Sequence, residues 1–350
     1  LAIHADFLLI LMAPLYFIWS SPKMLLLVQV LIVGLGAIPV YYLALEKLKS
    51  EKLSLLLALS YLMYPTIQRN MLHDFHAVAL STSFLLFAYW NMHRNRYFLF
   101  TVFGLLAALG KEEIWLVTGL MGLYILLIKK QKMLGFLVSF VSFLVVVLLF
   151  WVFIPAVTVE QKHFALTYLV EFGGNLNEIL FNLLKDPIKI LGLSINYDRL
   201  YYYFQLLVPV GFLSLLSPAV LIFATPSLII NSLSNNHLMR MIDYQYTSAV
   251  TPFIFISAIS GFSVVLTRIN KIRSNNKRKC IKYSTVIIFM VIVSLSSFRW
   301  GELPYGKTSR YKYFTAKQPE HEAMSKVFNM IDTKFTVSVT NNLGSQLSQR

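Results

Sequence analysis

The sequence predicts an all-α membrane protein with about ten transmembrane helices, followed by the start of a small extracytoplasmic α/β domain. Hydrophobic residues make up 57% of the 350 residues and charged residues only 13%. Apolar runs separated by short charged turns repeat along most of the chain. A soluble domain cannot bury so much apolar surface, so soluble, disordered and fibrous proteins are excluded. The single cysteine, Cys280, excludes an intrachain disulfide.

Ten apolar runs are candidate transmembrane spans. They cover about 22–45, 53–68, 77–92, 97–110, 114–128, 133–154, 201–216, 218–232, 247–267 and 283–298. Several are shorter than the roughly 20 residues that cross a hydrocarbon core. We therefore expect them to include flanking polar residues or to border a water-filled cavity. The predicted transmembrane domain is 1–298, and 299–350 begins a soluble domain.

The distribution of Lys and Arg predicts the orientation in the cell membrane. Fifteen of the 31 basic residues lie in four short loops, 46–52, 91–96, 129–132 and 268–282. The positive-inside rule places these loops in the cytoplasm, and loops 155–200 and 299–350 are then extracytoplasmic. All five tryptophans fall at predicted span ends, where indole rings favour the interface.

The net charge of +15 primarily indicates the orientation of the chain in the membrane, because Lys and Arg concentrate in cytoplasmic loops. The run Lys277-Arg278-Lys279 is a cytoplasmic anchor rather than a nucleic-acid patch, so the predicted partner is the lipid bilayer. The chain contains no Gly-rich phosphate loop, CxxC pair, HExxH motif or nucleophile elbow.

The residues able to perform acid–base chemistry or bind metal are predicted to lie mostly on the extracytoplasmic side. In the predicted topology this side contains 14 of the 16 carboxylates and six of the seven histidines. The first group is His73, Asp74 and His76, at the start of the third span. His73 and His76 share a face if this segment is helical, and Asp74 with His76 could hold a divalent cation. The alternative is a polar helix start with Asp74 near the N-cap.

The second group is Lys111-Glu112-Glu113, between the apolar runs 97–110 and 114–128. A continuous helix over 97–128 would be about 48 Å long, too long for one span, so a turn is predicted here. Three charges in a turn between short spans indicate a recessed, wet site. The alternative is a Lys–Glu pair that caps two helices.

The third group precedes the ninth span. It comprises His237, Arg240, Asp243, Tyr244, Gln245 and Tyr246. An arginine here could bind a phosphate. An ordinary interfacial belt of Tyr and Arg explains the group equally well.

Both ends of the sequence carry further expectations. The chain begins without Met and ends in polar residues, so we interpret it as an internal fragment. His4 and Asp6 precede an amphipathic stretch, Phe7–Trp19, which is expected to lie along the outer surface. In the tail, 318–331 is predicted to be helical and 336–340 to be a strand.

A series of motifs resembles a known family. In order they are His4-x-Asp6, Tyr64-Pro65, Leu72–His76, Lys111-Glu112-Glu113, Leu216-Ser217-Pro218, Ile230-Asn231, Asp243–Tyr246 and Val337–Leu347. Together they resemble the prokaryotic multi-spanning family named domain of unknown function 2079, over essentially all 350 residues. The layout of that family is similar to the glycosyltransferase C superfamily, membrane enzymes that use polyprenyl-phosphate sugars on the extracytoplasmic face.

Three departures from the family pattern stand out. The residue after the Asp-Phe-His motif is Ala77 where the family usually has Pro, and Gln245 stands where it often has His. From the resemblance we also expect the first span of the family and the acidic loop after it to be missing from this sequence. In the glycosyltransferase analogy that loop carries the main catalytic carboxylate.

The resemblance implies transfer of a sugar from a polyprenyl-phosphate donor. Asp74 would deprotonate the acceptor, directly or through a divalent cation, and Lys111 and Arg240 would stabilise the leaving phosphate. Glu112 and Glu113 would orient Lys111 or bind acceptor hydroxyls. The other residues expected to contact substrate are His4, Asp6, His73, His76, Asp243, Tyr244 and Tyr246. The alternatives are a transporter or flippase and a non-enzymatic membrane scaffold.

Overall fold

The computed structural model describes residues 4–158, 163–193, 195–316, 319–332 and 334–338, and the regular secondary structure of this part of the chain is all helical, without any strand. Helices satisfy every backbone hydrogen bond within one segment, as a lipid environment requires. The α-helices of the first half are α1 Leu8–Met12, α2 Pro22–Leu35, α3 Ala37–Leu48, α4 Glu51–Leu62, α5 Pro65–Leu72, α6 Ala77–His93, α7 Tyr97–Ala108, α8 Ile114–Leu127, α9 Lys132–Leu148 and α10 Ile154–Val157. Those of the second half are α11 Leu176–Lys185, α12 Pro187–Leu193, α13 Tyr197–Leu207, α14 Thr225–Leu233, α15 Thr251–Asn270, α16 Asn275–Trp300, α17 Tyr311–Thr315 and α18 Pro319–Met330.

Shorter helical turns join these elements. A π-helical turn, Leu149–Phe153, makes α9 and α10 one continuous rod. The 3-10 turns are Ala13–Phe17, Phe164–Phe172, Val208–Val210, Leu213–Leu216, Pro218–Ala224, His237–Arg240 and Gln245–Thr247.

Four helical stretches of the described chain are long and apolar enough to cross a membrane. They are Pro22–Leu48, Lys132–Val157, Thr251–Asn270 and Asn275–Trp300. A helix of 26 residues spans about 39 Å, more than the ~30 Å of a hydrocarbon core. The predicted count of ten spans is not confirmed, because the other six apolar runs form shorter elements.

Proline accounts for one of these short elements. The predicted span 53–68 is two helices, because α4 ends at Leu62 and α5 begins at Pro65. Tyr64 between them is extended, with φ −69° and ψ 127°, as expected for the residue before a proline. The new helix direction carries the polar residues of α5 into the protein.

The predicted turn between α7 and α8 is confirmed, and it places the charged tip of this hairpin against α6. A Cβ at Gly110 would lie 2.3 Å from Ser81 Oγ, so only glycine permits this approach. The N–H of Leu8 donates to the Leu109 carbonyl at 2.9 Å, which fixes the N-terminal segment beside the tip. At 12 and 14 residues the two helices measure about 18 and 21 Å. The tip therefore ends inside the protein.

The centre of the bundle is α15, the most buried of the four long helices. It packs against α3, α6 and the 3-10 turns at 213–216 and 218–224. A Cβ at Gly261 would meet the Leu213 carbonyl oxygen at 1.8 Å. The absent side chain lets α15 contact the 3-10 turn directly.

Three of the four loops predicted to be cytoplasmic meet at one end of the bundle. The Arg94 guanidinium pairs with Glu46 at 2.9 Å, and Lys129 Nζ donates to Asn95 Oδ1 at 3.1 Å. The Trp90 indole also donates to Glu46, at 3.3 Å. These contacts support the predicted clustering of basic loops on one side, while the sidedness itself stays a prediction.

The helix predicted in the tail is confirmed, while the position of Phe7–Trp19 along the outer surface stays a prediction. The stretch Phe7–Trp19 contains α1 and the 3-10 turn that follows it, and α18 at 319–330 matches the predicted helix at 318–331. The α/β domain is not confirmed. Residues 336–338 are described and are not in a strand, and 339–340 lie outside the described residues.

A buried ionic network fastens α5 to the end of α16. Arg69 Nη1 pairs with Asp243 and with Glu302 at 3.1 Å, and its Nε donates to the Trp300 carbonyl at 2.9 Å. Glu302 also pairs with Arg310 at 2.8 Å. The side chains of Arg69 and Glu302 are 8% and 1% exposed. Charges this deep are stabilised only as a complete set.

Replacing Arg69 by Met should destabilise the protein strongly, by about 3–5 kcal/mol, because it leaves Glu302 and Asp243 without their shared cation. The measurement is thermal unfolding of the purified protein in detergent. Arg299→Met, which replaces an exposed arginine near the end of α16, is the control and should change the melting temperature little. Equal melting temperatures for both variants would mean that the network contributes nothing.

The predicted orientation can be tested with Cys280, which is exposed near the start of α16. A membrane-impermeant thiol reagent should leave it unlabelled in intact cells and label it after permeabilisation. A Cys280→Ser, Tyr305→Cys variant should behave in the opposite way, since Tyr305 is 90% exposed beyond the other end of α16. Labelling of Cys280 in intact cells would show that the orientation is opposite to the predicted one.

Candidate functional site

The centre of the candidate site is the buried carboxylate of Glu112, on which three distant parts of the chain converge. His4 Nδ1 and His163 Nε2 each lie 2.9 Å from Glu112 Oε1. The N–H of Ala5 donates to Oε2 at 3.3 Å. The His163 and Glu112 side chains are 1% and 4% exposed, and that of His4 is 25% exposed. The site is therefore open on the His4 side.

The protonation of His163 follows from its second nitrogen. The N–H of Ala165 donates to His163 Nδ1 at 3.0 Å, which caps the 3-10 turn that begins at Phe164. Nδ1 must carry a lone pair to accept this bond, so the proton of the neutral ring lies on Nε2. His163 consequently donates to Glu112, as expected of a partner for an ionised carboxylate.

Electrostatics keep Glu112 ionised. Burial would raise its pKa, but the hydrogen bonds from His163 and His4 and the charge of Lys111 hold the pKa well below the usual value. The neighbouring Asp6 differs. Burial, with the Glu112 charge adding to it, raises the pKa of Asp6 against the opposing charges of His4 and Lys111. Of these two acids beside one another, Asp6 is the one that takes up a proton more readily.

Lys111 is a buried cation next to this carboxylate. Its Nζ lies 3.3 Å from Glu113 Oε2 and 5.4 Å from the centre of the Tyr246 ring. Burial lowers the pKa of Lys111, but Glu113 and Glu112 outweigh it and raise the pKa. Lys111 is therefore a cation at neutral pH, and its contact with Glu113 matches the alternative of an internal Lys–Glu pair.

Aromatic rings connect the three groups of residues that the sequence singled out. The rings of His73 and His76 stack in parallel at 5.5 Å, and Tyr244 meets His73 edge-on at 5.2 Å. Tyr244 lies 6.3 Å from Tyr246, whose ring contacts Lys111. A continuous chain of contacts thus runs from the histidine pair to the hairpin tip.

The histidine pair lies in a bend between α5 and α6, so the expectation of a shared helix face is wrong at the level of secondary structure. The rings stack because the Gln29 side chain fixes the backbone of the bend. Its amide donates to the His73 carbonyl at 3.2 Å and accepts from the His76 N–H at 2.9 Å. Burial lowers the pKa of both imidazoles.

Asp74 is exposed within this bend. Asp74 lies near the start of α6, as the alternative predicted, but the N-cap position belongs to His76, which makes no side-chain cap bond. The backbone carbonyl of Asp74 accepts from His76 Nδ1 at 2.8 Å. A role for the Asp74 carboxylate in catalysis stays a prediction.

The polar residues of the third group have structural partners. Asp243 belongs to the Arg69 network. The Arg240 guanidinium donates to the backbone carbonyls of Ser234 and Asn231 and thereby closes the end of α14. Tyr244 and Tyr246 are the members of this group that contact the two outer groups, so phosphate binding by Arg240 stays a prediction.

The residues around Glu112 also have metal-ligand chemistry. The ligand atoms of His4, Glu112 and His163 all lie within 4.8 Å of one another, and two histidines with one carboxylate are a set that binds zinc. Coordination through His163 Nε2 would require the proton that this atom now holds to leave, and the cap from Ala165 keeps Nδ1 from accepting it. The geometry fits a hydrogen-bonded carboxylate better than a metal centre. The predicted ligands Asp74 and His76 stay a prediction.

Sequence reasoning missed His163, Arg69 and Glu302. His163 lies in a polar loop, where nothing in the local pattern distinguishes it from a solvated residue. Arg69 offered a signal, since it is a single charge at the end of an apolar run, between Gln68 and Asn70.

The depressed pKa of Glu112 makes stability depend on pH. The ionised group contributes stability above its unfolded value of about 4.5, and this contribution is lost as the pH falls through the lower folded-state pKa. The difference in melting temperature between the wild type and Glu112→Gln should be constant from about pH 7 to 5 and shrink below. Glu322→Gln, at an exposed position, is the control. A difference that stays constant to about pH 3 would contradict an ionised, hydrogen-bonded Glu112.

Comparison with known proteins agrees with the membrane character of this fold. A family model described as predicted membrane protein (DUF2079) matches residues 1–350. No curated protein and no solved structure shows significant similarity to the chain. The match extends over every residue that forms the helical bundle and the Glu112 site. The chain therefore belongs to the family of predicted membrane proteins described as DUF2079.

Proposed function

We propose that this protein is a membrane glycosyltransferase that takes a sugar from a polyprenyl-phosphate donor on the extracytoplasmic face. The observation that carries the proposal is that His4 belongs to two features at once. It donates to the buried Glu112 carboxylate, and it lines an apolar groove of about 450 Å³. Polar chemistry and a lipid-compatible surface therefore meet at one residue.

The groove suits an apolar chain. Apart from His4 its lining is hydrophobic and comes from the N-terminal segment and the α9–α10 rod: Ala5, Phe7, Val145, Leu148, Leu149, Phe153, Ile154 and Val157. The rod is one of the four stretches long enough to cross a membrane, so we expect lipid chains to have access to the groove. A polyprenyl chain in the groove would bring its phosphate to the His4 end.

The cation for the phosphate would be Lys111. In a glycosyl transfer, negative charge develops on the leaving lipid phosphate, and a buried ammonium stabilises such charge more than an exposed one. Glu112 would organise the site rather than accept a proton. Glu113 would hold Lys111 until the donor phosphate competes for it.

The test for Lys111 removes its charge while keeping the interior neutral. Lys111→Met alone would leave the buried Glu113 carboxylate without its cationic partner. The double variant Lys111→Met, Glu113→Gln is therefore compared with the wild type. Sugar release from a polyprenyl-phosphate donor in membranes should fall by about 10²–10³-fold, the usual cost of losing such a stabilising group. Lys307→Met, an exposed lysine, should leave the rate unchanged. If wild-type membranes turn over no polyprenyl-phosphate donor, the proposal is wrong.

A further inference from the structure

Two arginines meet at the C-terminal end of α14. Arg199 Nε donates to the Ser232 carbonyl, and Arg240 Nη1 donates to the Ser234 carbonyl. The two guanidiniums therefore approach the same helix end, one from α13 and the other from the 3-10 turn at 237–240. Arg199 is 9% exposed, whereas Arg240 is partly exposed. The pair is consequently more accessible to a ligand on the Arg240 side.

Other buried cations of this protein have carboxylate partners. Among the described residues, the lysines and arginines enclosed by protein are Arg69, Lys111 and Arg199. Arg69 and Lys111 each pair with a carboxylate. Neither Arg199 nor its neighbour Arg240 forms an ion pair within the described part of the chain. A charge removed from water is costly when it is left unpaired, so this pair suits an anion from outside the chain.

The helix end and one nearby acid neutralise the pair only in part. The C-terminal end of a helix carries about half of one negative charge, against the two positive charges of the guanidiniums. Burial and then the charge of Arg199 lower the pKa of Arg240, against the opposing charge of exposed Asp198. An arginine stays protonated at neutral pH all the same. The charge balance at the end of α14 is therefore positive.

Both side chains retain hydrogen-bond donors for an anion. A guanidinium has five N–H donors in a planar fork, which matches two oxygens of a phosphate. Within the described residues the Arg199 side chain uses only Nε, and the Arg240 side chain uses only Nη1. The buried Nε of Arg240 has no hydrogen-bond partner in that part of the chain. Most donors of the pair are thus not used to cap α14.

Hydrogen bonds hold the surroundings of the pair in place and connect them to the candidate site. The Asn231 amide donates to the Tyr202 hydroxyl at 3.0 Å and to the Tyr246 carbonyl at 2.9 Å. The Asn231 carbonyl accepts from Arg240 Nη1 at 3.5 Å. The Tyr246 ring in turn contacts Lys111. The arginine pair is therefore a second cationic centre, next to the Lys111 centre and distinct from it.

We infer that Arg199 and Arg240 form a binding site for a phosphate group, in which each guanidinium keeps its bond to α14 and offers its remaining donors to the anion. A phosphate has enough oxygens to bridge two guanidinium forks, and its charge compensates the two arginines. The site goes beyond the proposed function, in which Lys111 is the cation. The phosphate belongs either to a phospholipid headgroup or to a soluble phosphorylated molecule.

Inorganic phosphate is the first probe, because a ligand that binds only the folded protein raises its melting temperature. The purified wild type in detergent should melt at a higher temperature in phosphate than in chloride of equal ionic strength. Arg199→Gln, Arg240→Gln should bind phosphate about 10–100-fold more weakly, because charge-assisted hydrogen bonds are lost. The control Arg299→Gln, Lys307→Gln removes two exposed positive charges and should bind phosphate as the wild type does.

A further variant strengthens the site and keeps both arginines. Asp198→Asn removes the exposed negative charge near Arg240 and preserves the size of the side chain. Phosphate should bind this variant about two- to fivefold more tightly, the usual scale of one exposed charge interaction. The measurement is the shift in melting temperature that phosphate produces within each variant. Weaker or unchanged binding would contradict a phosphate beside Arg240.

Lipid retention distinguishes the two sources of the phosphate. Purified protein is incubated with phosphatidylglycerol and phosphatidylcholine at equal concentrations, and native mass spectrometry counts each bound lipid. For a headgroup site, the wild type should retain phosphatidylglycerol preferentially and Arg199→Gln, Arg240→Gln should lose that preference. Equal retention by both proteins, with phosphate stabilisation lost from the variant, would assign the site to a soluble phosphorylated molecule.

Three results would overturn the inference. One is a wild type that gains no stability from phosphate and has no preference for phosphatidylglycerol. Another is an Arg199→Gln, Arg240→Gln variant that binds both probes as the wild type does, which would make the arginines helix caps only. The third is phosphate stabilisation that this variant keeps and Lys111→Met, Glu113→Gln loses. Because no measurement here follows sugar transfer, a protein without donor turnover would refute the proposed function alone.

Discussion

An ionised carboxylate enclosed by protein is the constraint on which the site depends. Glu112 is 3% exposed, and removing such a charge from water costs several kcal/mol unless hydrogen bonds replace the lost hydration. The replacement comes from His4, Ala5 and His163, which lie 108, 107 and 51 residues away along the chain. The N-terminal segment and the loop after α10 must therefore close over the hairpin tip. Geometry, charge state and access to the groove all follow from that closure.

The short hairpin explains why the charge is inside at all. Helices α7 and α8 are too short to carry their connecting turn across a full hydrocarbon core, so Lys111, Glu112 and Glu113 end in the interior. Glycine at 110 lets the turn press against α6. Neutralisation is then internal, since Lys111 pairs with Glu113 and Glu112 receives N–H donors. A recessed polar site beside an apolar groove is the physical result.

The Arg69 network is a second buried charge cluster, and it positions the segments beside the histidine pair, His73 and His76. Arg69 binds Asp243 and Glu302 and so fixes the segment that carries Tyr244 against the bend that carries His73. The aromatic contacts from His73 to Lys111 then have a fixed frame. Two buried charge clusters, joined by rings, define this end of the bundle.

Sequence alone determined the membrane class, the positions of most helices and the turn at residues 111–113, because these follow from local hydropathy and from the charge density of short turns. It also selected Glu112, since a charge in a short turn between apolar runs is conspicuous. It did not determine how many runs are full spans, because Pro65 divides a run that looks continuous by hydropathy. Only the tertiary structure decided that His4 and His163 share one carboxylate oxygen, that Arg240 closes a helix end, and that Asp74 is exposed. Those outcomes depend on contacts between residues far apart in the chain, and hydrogen-bond partners at such separations leave no periodic trace in a single sequence.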